Sequence, residues 1–196
     1  MLPETAVAVE SSPQPVRDES PLSGLIGALA NAVRALHHQE RRGDLANLRR
    51  MDCDAPVVPA FQRILVRTAP DADLDRARRI ALFVKILSLP TSLAPFAGGR
   101  RRLGEVLAAE GIGEARVQML MTARGPALDD LLLRMARRLV QAGTLPFEDI
   151  GRLILGDGPT IERVRFSVAK AYWTRRAADA PATSSPAVDT PAGDQP

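Results

Sequence analysis

The chain has 196 residues, 45% of them hydrophobic and 4% aromatic, enough apolar content for one sizeable core or two small ones. No stretch approaches the ~20 consecutive apolar residues of a membrane-spanning helix, which excludes an integral membrane protein of that kind. Of 26 Lys and Arg residues 25 fall between residues 22 and 176, against 16 of 23 acids, so a whole-chain charge of +3 conceals a central region near +9.

The two ends differ from that region. Residues 1–21 and 177–196 are rich in Pro, Ala, Ser and Thr, hold few large apolar side chains, and are expected to be disordered tails. The first residues carry acids where a secretory signal carries bases, and Cys53 is the only cysteine. The single cysteine excludes internal disulfides and fits a reducing cytoplasm, and the acidic start gives no sign of export.

Between the tails the apolar spacing is helical throughout. A first helix is predicted from Ser20-Pro21, with Leu22, Leu25, Ile26, Leu29, Val33 and Leu36 on one face, ending at Gly43. Asp44 is placed to cap a short segment ending in Arg49 and Arg50. A helix from Pro59 to about Arg67 turns Phe61, Ile64 and Leu65 inward and Arg63 and Arg67 outward. Asp71, Asp73 and Asp75 then mark a helix start, since carboxylates favour the positive end of the helix dipole. Ile80, Phe83, Val84 and Leu87 form its stripe and Pro90 stops it. The segment 93–99, containing Pro95, Gly98 and Gly99, reads as a linker between an N-terminal lobe at 22–92 and a C-terminal lobe at 100–176.

The second lobe opens with Arg100, Arg101 and Arg102. Leu103, Val106 and Leu107 line one helix and Val117, Leu120 and Met121 the next, across a tight turn at residues 111–113. A third helix carries Leu128, Leu131, Leu132, Met135 and Leu139 and ends at Gly143, with Arg134, Arg137 and Arg138 off the apolar face. Asp130, four residues before Arg134, is placed to pair with it. A short helix over 147–155 and a last one from Asp157-Gly158-Pro159-Thr160 to about Arg176 complete the chain. On the last, Arg163 and Lys170 are seven apart and share a direction. Arg165 lies at the edge of the core stripe, where it can snorkel, and Phe166 and Trp173 make a second apolar edge. Trp173 has the chemistry to stack a base, but with so few aromatics in the chain it is expected to pack against a neighbouring helix or subunit. No segment alternates with period two, so the expected fold is all-α, two small helical bundles with short loops.

Enzyme signatures are not assembled. His37-His38-Gln39-Glu40 lacks the four-residue histidine spacing of a zinc-protease helix, and Cys53 has no companion thiol. Gly156-Asp157-Gly158-Pro159-Thr160 lacks the spacing and lysine of a phosphate-binding loop and reads as a turn. No catalytic residue, metal ligand or cofactor is expected. The bases are almost all arginine, whose planar fork suits bidentate phosphate contacts, and the few aromatics favour recognition of backbone over bases.

Three stretches carry a resemblance. Gly43-Asp44-Leu45-Ala46-Asn47-Leu48-Arg49-Arg50, the segment from Arg102-Leu103-Gly104 through Arg116 and Arg124, and Glu162-Arg163-Val164-Arg165 through Tyr172-Trp173 together resemble CasB, the small subunit of the type I-E CRISPR Cascade surveillance complex. The resemblance spans about residues 22–176. It implies a two-lobed, non-catalytic helical protein that pairs with a second copy of itself and lies against other Cascade subunits. Its nucleic-acid partners would be the guide RNA and the target DNA, whose displaced non-target strand it would help hold open in the R-loop. Arg49, Arg50, Arg116 and Arg124 match motif positions, and Arg152 and Arg163 do so more loosely. Arg100, Arg101, Arg102, Arg137, Arg138 and Lys170 are added on charge alone. An adaptor for an acidic protein is the main alternative. A helix-turn-helix regulator built on the 111–113 turn ranks below it, because few base-reading groups beyond Arg116, Gln118 and Arg124 are exposed there.

Overall fold

The computed structural model describes residues 21–98 and 101–179, and among these it contains nine α-helices, one 3-10 helix and no strand. Residues 1–20 and 180–196, where disorder was expected, lie outside the described residues, as does Arg100. The last helix continues through residues 177–179, three past the predicted boundary, and Pro21 begins the first helix rather than ending a tail.

Helix α1 (Pro21–His38) buries Ile26, Leu29, Ala30, Val33 and Leu36. Its stop is not Gly43. The chain reverses at Glu40, which takes a left-handed φ of 53°, and the Arg41 amide donates back to the Leu36 carbonyl at 2.9 Å. Gly43 is thereby released into the first turn of α2 (Arg42–Arg50), and Asp44, instead of capping, pairs with Arg41 and Arg63. Helix α3 (Pro59–Thr68) buries Ala60, Phe61 and Ile64. Helix α4 (Leu74–Ser88) is capped by Asp73, whose carboxylate accepts from the Arg76 amide at 2.8 Å. It buries residues on nearly every side and packs against α1, α2 and α3.

Helices α5 (Leu103–Ala109), α6 (Glu114–Thr122), α7 (Gly125–Gln141), α8 (Phe147–Leu155) and α9 (Gly158–Asp179) follow the predicted order. Helices α5 and α9 pack closely against one another. A Cβ on Gly104 would stand 2.1 Å from the Val168 carbonyl oxygen and 2.8 Å from the Tyr172 nitrogen, so only glycine fits there. Tyr172, fully buried, donates its hydroxyl to the Ile112 carbonyl at 2.8 Å and ties α9 to the turn before α6.

The expected division into two lobes is blurred by α8. Though it belongs to the second half, it packs on α1 and α4 as well as α9, and the buried apolar side chains form one continuous cluster. Gly151 permits this, since a Cβ there would meet Ile26 and Phe83 at 2.9 Å. Nor is 93–99 a loose spacer. Ala94–Gly98 form the 3-10 helix, Phe96 is buried with its ring edge-on to His37, and the Leu145 amide donates to the Pro95 carbonyl at 3.0 Å. The tertiary grouping is therefore α1–α3 and α8 around α4, and α5 and α6 against α9, with α7 touching both α4 and α6.

Candidate nucleic-acid interface

The predicted arginines do not converge on one site. In the group around α4 most are taken up by the fold. Arg49, near the end of α2, donates from Nε to the Ser88 carbonyl at 2.5 Å and from Nη2 to the Pro90 carbonyl at 2.7 Å. These are carbonyls at and beyond the C-terminal end of α4, where helix carbonyls lack intrahelical partners and carry partial negative charge. Burial lowers the Arg49 pKa from its ordinary value. Two of its three side-chain nitrogens thus hold helix to helix. Lys85 does similar work, donating to the Met51 carbonyl at 2.8 Å. Arg152 on α8 donates to the Ser23 hydroxyl at 3.3 Å and lies 3.9 Å from Glu148 and 4.0 Å from Asp149. Arg50, by contrast, is exposed.

Asp149 also accepts from the Leu103 amide at 2.8 Å, capping α5 from across the core. This bond sets the N-terminus of α5, and with it Arg101 and Arg102, against α9. There the two arginines share a groove of about 440 Å³ with Lys170, Thr174 and Arg175, opposed by Glu105. Arg175 is held by Asp179 at 3.0 Å, while Lys170 has no ion-pair or hydrogen-bond partner among the described residues.

A second groove, of about 500 Å³, runs between α6 and α7. Its rim is Arg116, Arg134 and Arg138, its floor Ile112, Met119, Leu131 and Met135, and no carboxylate lines it. Arg138 donates weakly to the Glu110 carbonyl at 3.3 Å. The expected pairing of Arg134 with Asp130 does not form, which leaves Arg134 available to the groove. Arg137, exposed on the same helix, does not line it.

Arg124 and Arg163 are partly engaged. Arg124 pairs with Glu162 at 2.9 Å and donates to the Met121 and Ala123 carbonyls at 3.0 Å. The same Glu162 oxygen accepts from Arg165 at 2.9 Å. Arg165, expected to snorkel outward, is only 3% exposed, and its Nη2 donates to the Ala123 carbonyl. The physical reason is the end of α6, whose carbonyls need a donor where α9 crosses them. Arg163 bonds only to its own helix, at the Pro159 carbonyl and the Thr160 hydroxyl, both at 3.3 Å.

The remaining candidates form no catalytic arrangement. His37 and His38 line a third groove with Arg42 and Arg49, and burial, then Arg49 and His38, lower the His37 pKa. Burial pushes the Cys53 thiol up, and Asp157 caps α9 by accepting from the Thr160 amide at 2.9 Å. Among the described residues no three His, Cys, Asp or Glu side chains gather to hold a metal ion, and no helix is long and apolar enough to cross a membrane.

Sequence reasoning missed the groove roles of Arg134 and Arg175. Arg134 had a visible signal, its four-residue spacing to Arg138, but Asp130 at the same spacing pointed to a local pair. Comparison with known proteins found no matching family model, no matching curated protein and no matching solved structure.

Proposed function

We propose that this protein is a non-catalytic, CasB-like structural subunit that binds nucleic-acid backbone without sequence specificity, and that it steadies opened target DNA in an RNA-guided surveillance complex. The observation that carries the reading is the groove between α6 and α7, where Arg116, Arg134 and Arg138 from two helices face one channel with no carboxylate in its lining. Guanidinium groups on rigid helices engage phosphates whatever base follows, as a protein holding an arbitrary displaced strand requires. Strand opening by RNA pairing is nearly balanced in energy, so a few such contacts tip it toward the open state. Other subunits of the complex, the guide RNA and a second copy of the chain are its partners on this reading, and it acts in the cytoplasm.

The test is the salt dependence of single-strand binding. Replacing Arg116, Arg134 and Arg138 together with alanine is expected to lower the slope of log affinity against log salt by about 2, at about 0.7 for each phosphate no longer neutralised. Helical content should be unchanged, because all three side chains are exposed. An unaltered slope would sink the assignment of this groove.

One feature favours the adaptor reading. The apolar floor of the groove, Ile112, Met119, Leu131 and Met135, suits an acidic amphipathic helix. Binding of such a peptide with no measurable affinity for single strands would select it.

A further inference from the structure

Helix α9 leaves its two largest outward side chains uncovered. Phe166 is 73% exposed and Trp173 48% exposed, so no helix among the described residues covers either. They are seven residues apart, hence about 10 Å along the axis and about 20° apart around it. A parallel row, displaced by about 60°, holds Arg163 and Lys170, also seven apart. The four alternate along the helix as cation, ring, cation, ring.

Two further observations distinguish this face from a stray apolar patch. Trp173 is held in place: its ring stands edge-on to Tyr172 at 5.2 Å and 84°, and Tyr172 is buried and anchored to the Ile112 carbonyl. Charge on the face is one-sided as well. The neighbouring acid, Glu162, is occupied by Arg124 and Arg165, Arg163 forms no salt bridge though Asp157 lies within its electrostatic reach, and Lys170 has no carboxylate partner among the described residues. Lys170 also lines the groove with Arg101, Arg102 and Arg175, whose bases outnumber its one acid, Glu105, so the cation row leads from the aromatic face into that groove.

We infer that this face of α9 is a base-stacking platform for single-stranded nucleic acid: unpaired bases lie on Phe166 and Trp173, and the phosphates track along Lys170 toward Arg101 and Arg102. The inference rests on the proposed function and extends it from backbone contact to contact with bases. Stacking is indifferent to sequence because every base has a π face, so the added affinity brings no specificity. It also explains how one strand is told from two, since a duplex keeps its bases out of reach. A second copy of the chain is the competing occupant, but two such faces would bring Arg163 and Lys170 of both copies together with no free acid between them.

Trp173 is the only tryptophan, so its fluorescence reports on the platform directly. The full chain is titrated with a short oligothymidylate, with binding followed independently by anisotropy of a labelled strand. Stacking predicts that the fluorescence is quenched in step with binding, and that neither inorganic polyphosphate nor a duplex of the same length quenches it. Phe166→Leu should weaken binding by about 5-fold or more, given about 1–3 kcal/mol per stacked base, and Phe166→Tyr should restore it. Phe166→Leu should leave the salt slope alone, whereas Lys170→Ala should reduce it by about 0.7. Binding by anisotropy without quenching overturns the platform and leaves the backbone reading standing. No binding at all overturns both. Self-association abolished by Phe166→Leu, with no oligonucleotide effect, assigns the face to a second copy and overturns the platform.

Discussion

Around α4, some arginines hold carbonyls and carboxylates of the fold, Arg49 on Ser88 and Pro90, Arg63 on Asp44, Arg78 on Asp75 and the Asp54 carbonyl, Arg152 between Ser23 and two acids, while others such as Arg50 and Arg67 stay exposed. Beside α9 and between α6 and α7, Arg101, Arg102, Arg116, Arg134 and Lys170 line grooves without a partner in the fold, whereas Arg49 lines a groove with two of its nitrogens already engaged. The residue type is the same and the use is different. What separates the two groups is whether a helix end or an acid lies within reach of the guanidinium. The many-sided crossing of α4 supplies such partners to Arg49, and Glu162 with the end of α6 supplies them to Arg124 and Arg165, whereas Arg101, Arg102, Arg116, Arg134 and Lys170 meet none among the described residues. A positive net charge therefore says little about where binding occurs until the occupied bases are set aside.

The largest break in this comparison is expected at Gly104→Ala. The obstacle is the backbone of α9, which cannot yield as a flexible side chain can, so the cost should reach about 3 kcal/mol, the upper end for overpacking. Urea denaturation should show it as a lowered midpoint, with the grooves around α9 disrupted together.

Arg49→Ala comes next. Removing a charged donor from two carbonyls should cost about 2 kcal/mol in stability and leave oligonucleotide affinity unchanged. The exposed triple replacement of Arg116, Arg134 and Arg138 should do the reverse. If Arg49→Ala weakened binding while stability held, the division between the two groups would fail.

The smallest effect concerns pH. His37 has its folded pKa below 6.5, first through burial and then through Arg49 and His38. Between the folded value and 6.5 the unfolded chain holds a proton that the folded chain has shed. This contribution to stability is therefore complete above pH 6.5 and is lost as pH falls through that window. Denaturation at several pH values should show the slope, His37→Gln should flatten it, and Arg49→Ala should raise the His37 pKa in an NMR titration.

Much of the architecture was legible in the order of residues alone. Helical spacing placed every α-helix, the acids Asp71, Asp73 and Asp75 marked the start of α4, and Gly143, at a φ of 79°, marked the end of α7. These are local signals, set by periodicity and by the needs of helix ends within a few residues. Less legible was the stop of α1, because Glu40 adopts a conformation that favours glycine while Gly43 stands nearby as the more obvious choice.

By itself, then, the sequence determined the all-α class, the order of the helices and the concentration of positive charge between the tails, since each depends on residues close together in the chain or on counting alone. Tertiary structure decided the rest. It carried α8 into the first group of helices, drew Arg165 inside to meet the end of α6, fixed Arg49 to the end of α4, and left Phe166 and Trp173 uncovered beside Lys170. Whether an arginine is a strut or a free hand depends on acceptors 39 and 41 residues away for Arg49 and 42 for Arg165, and no local pattern encodes such distances.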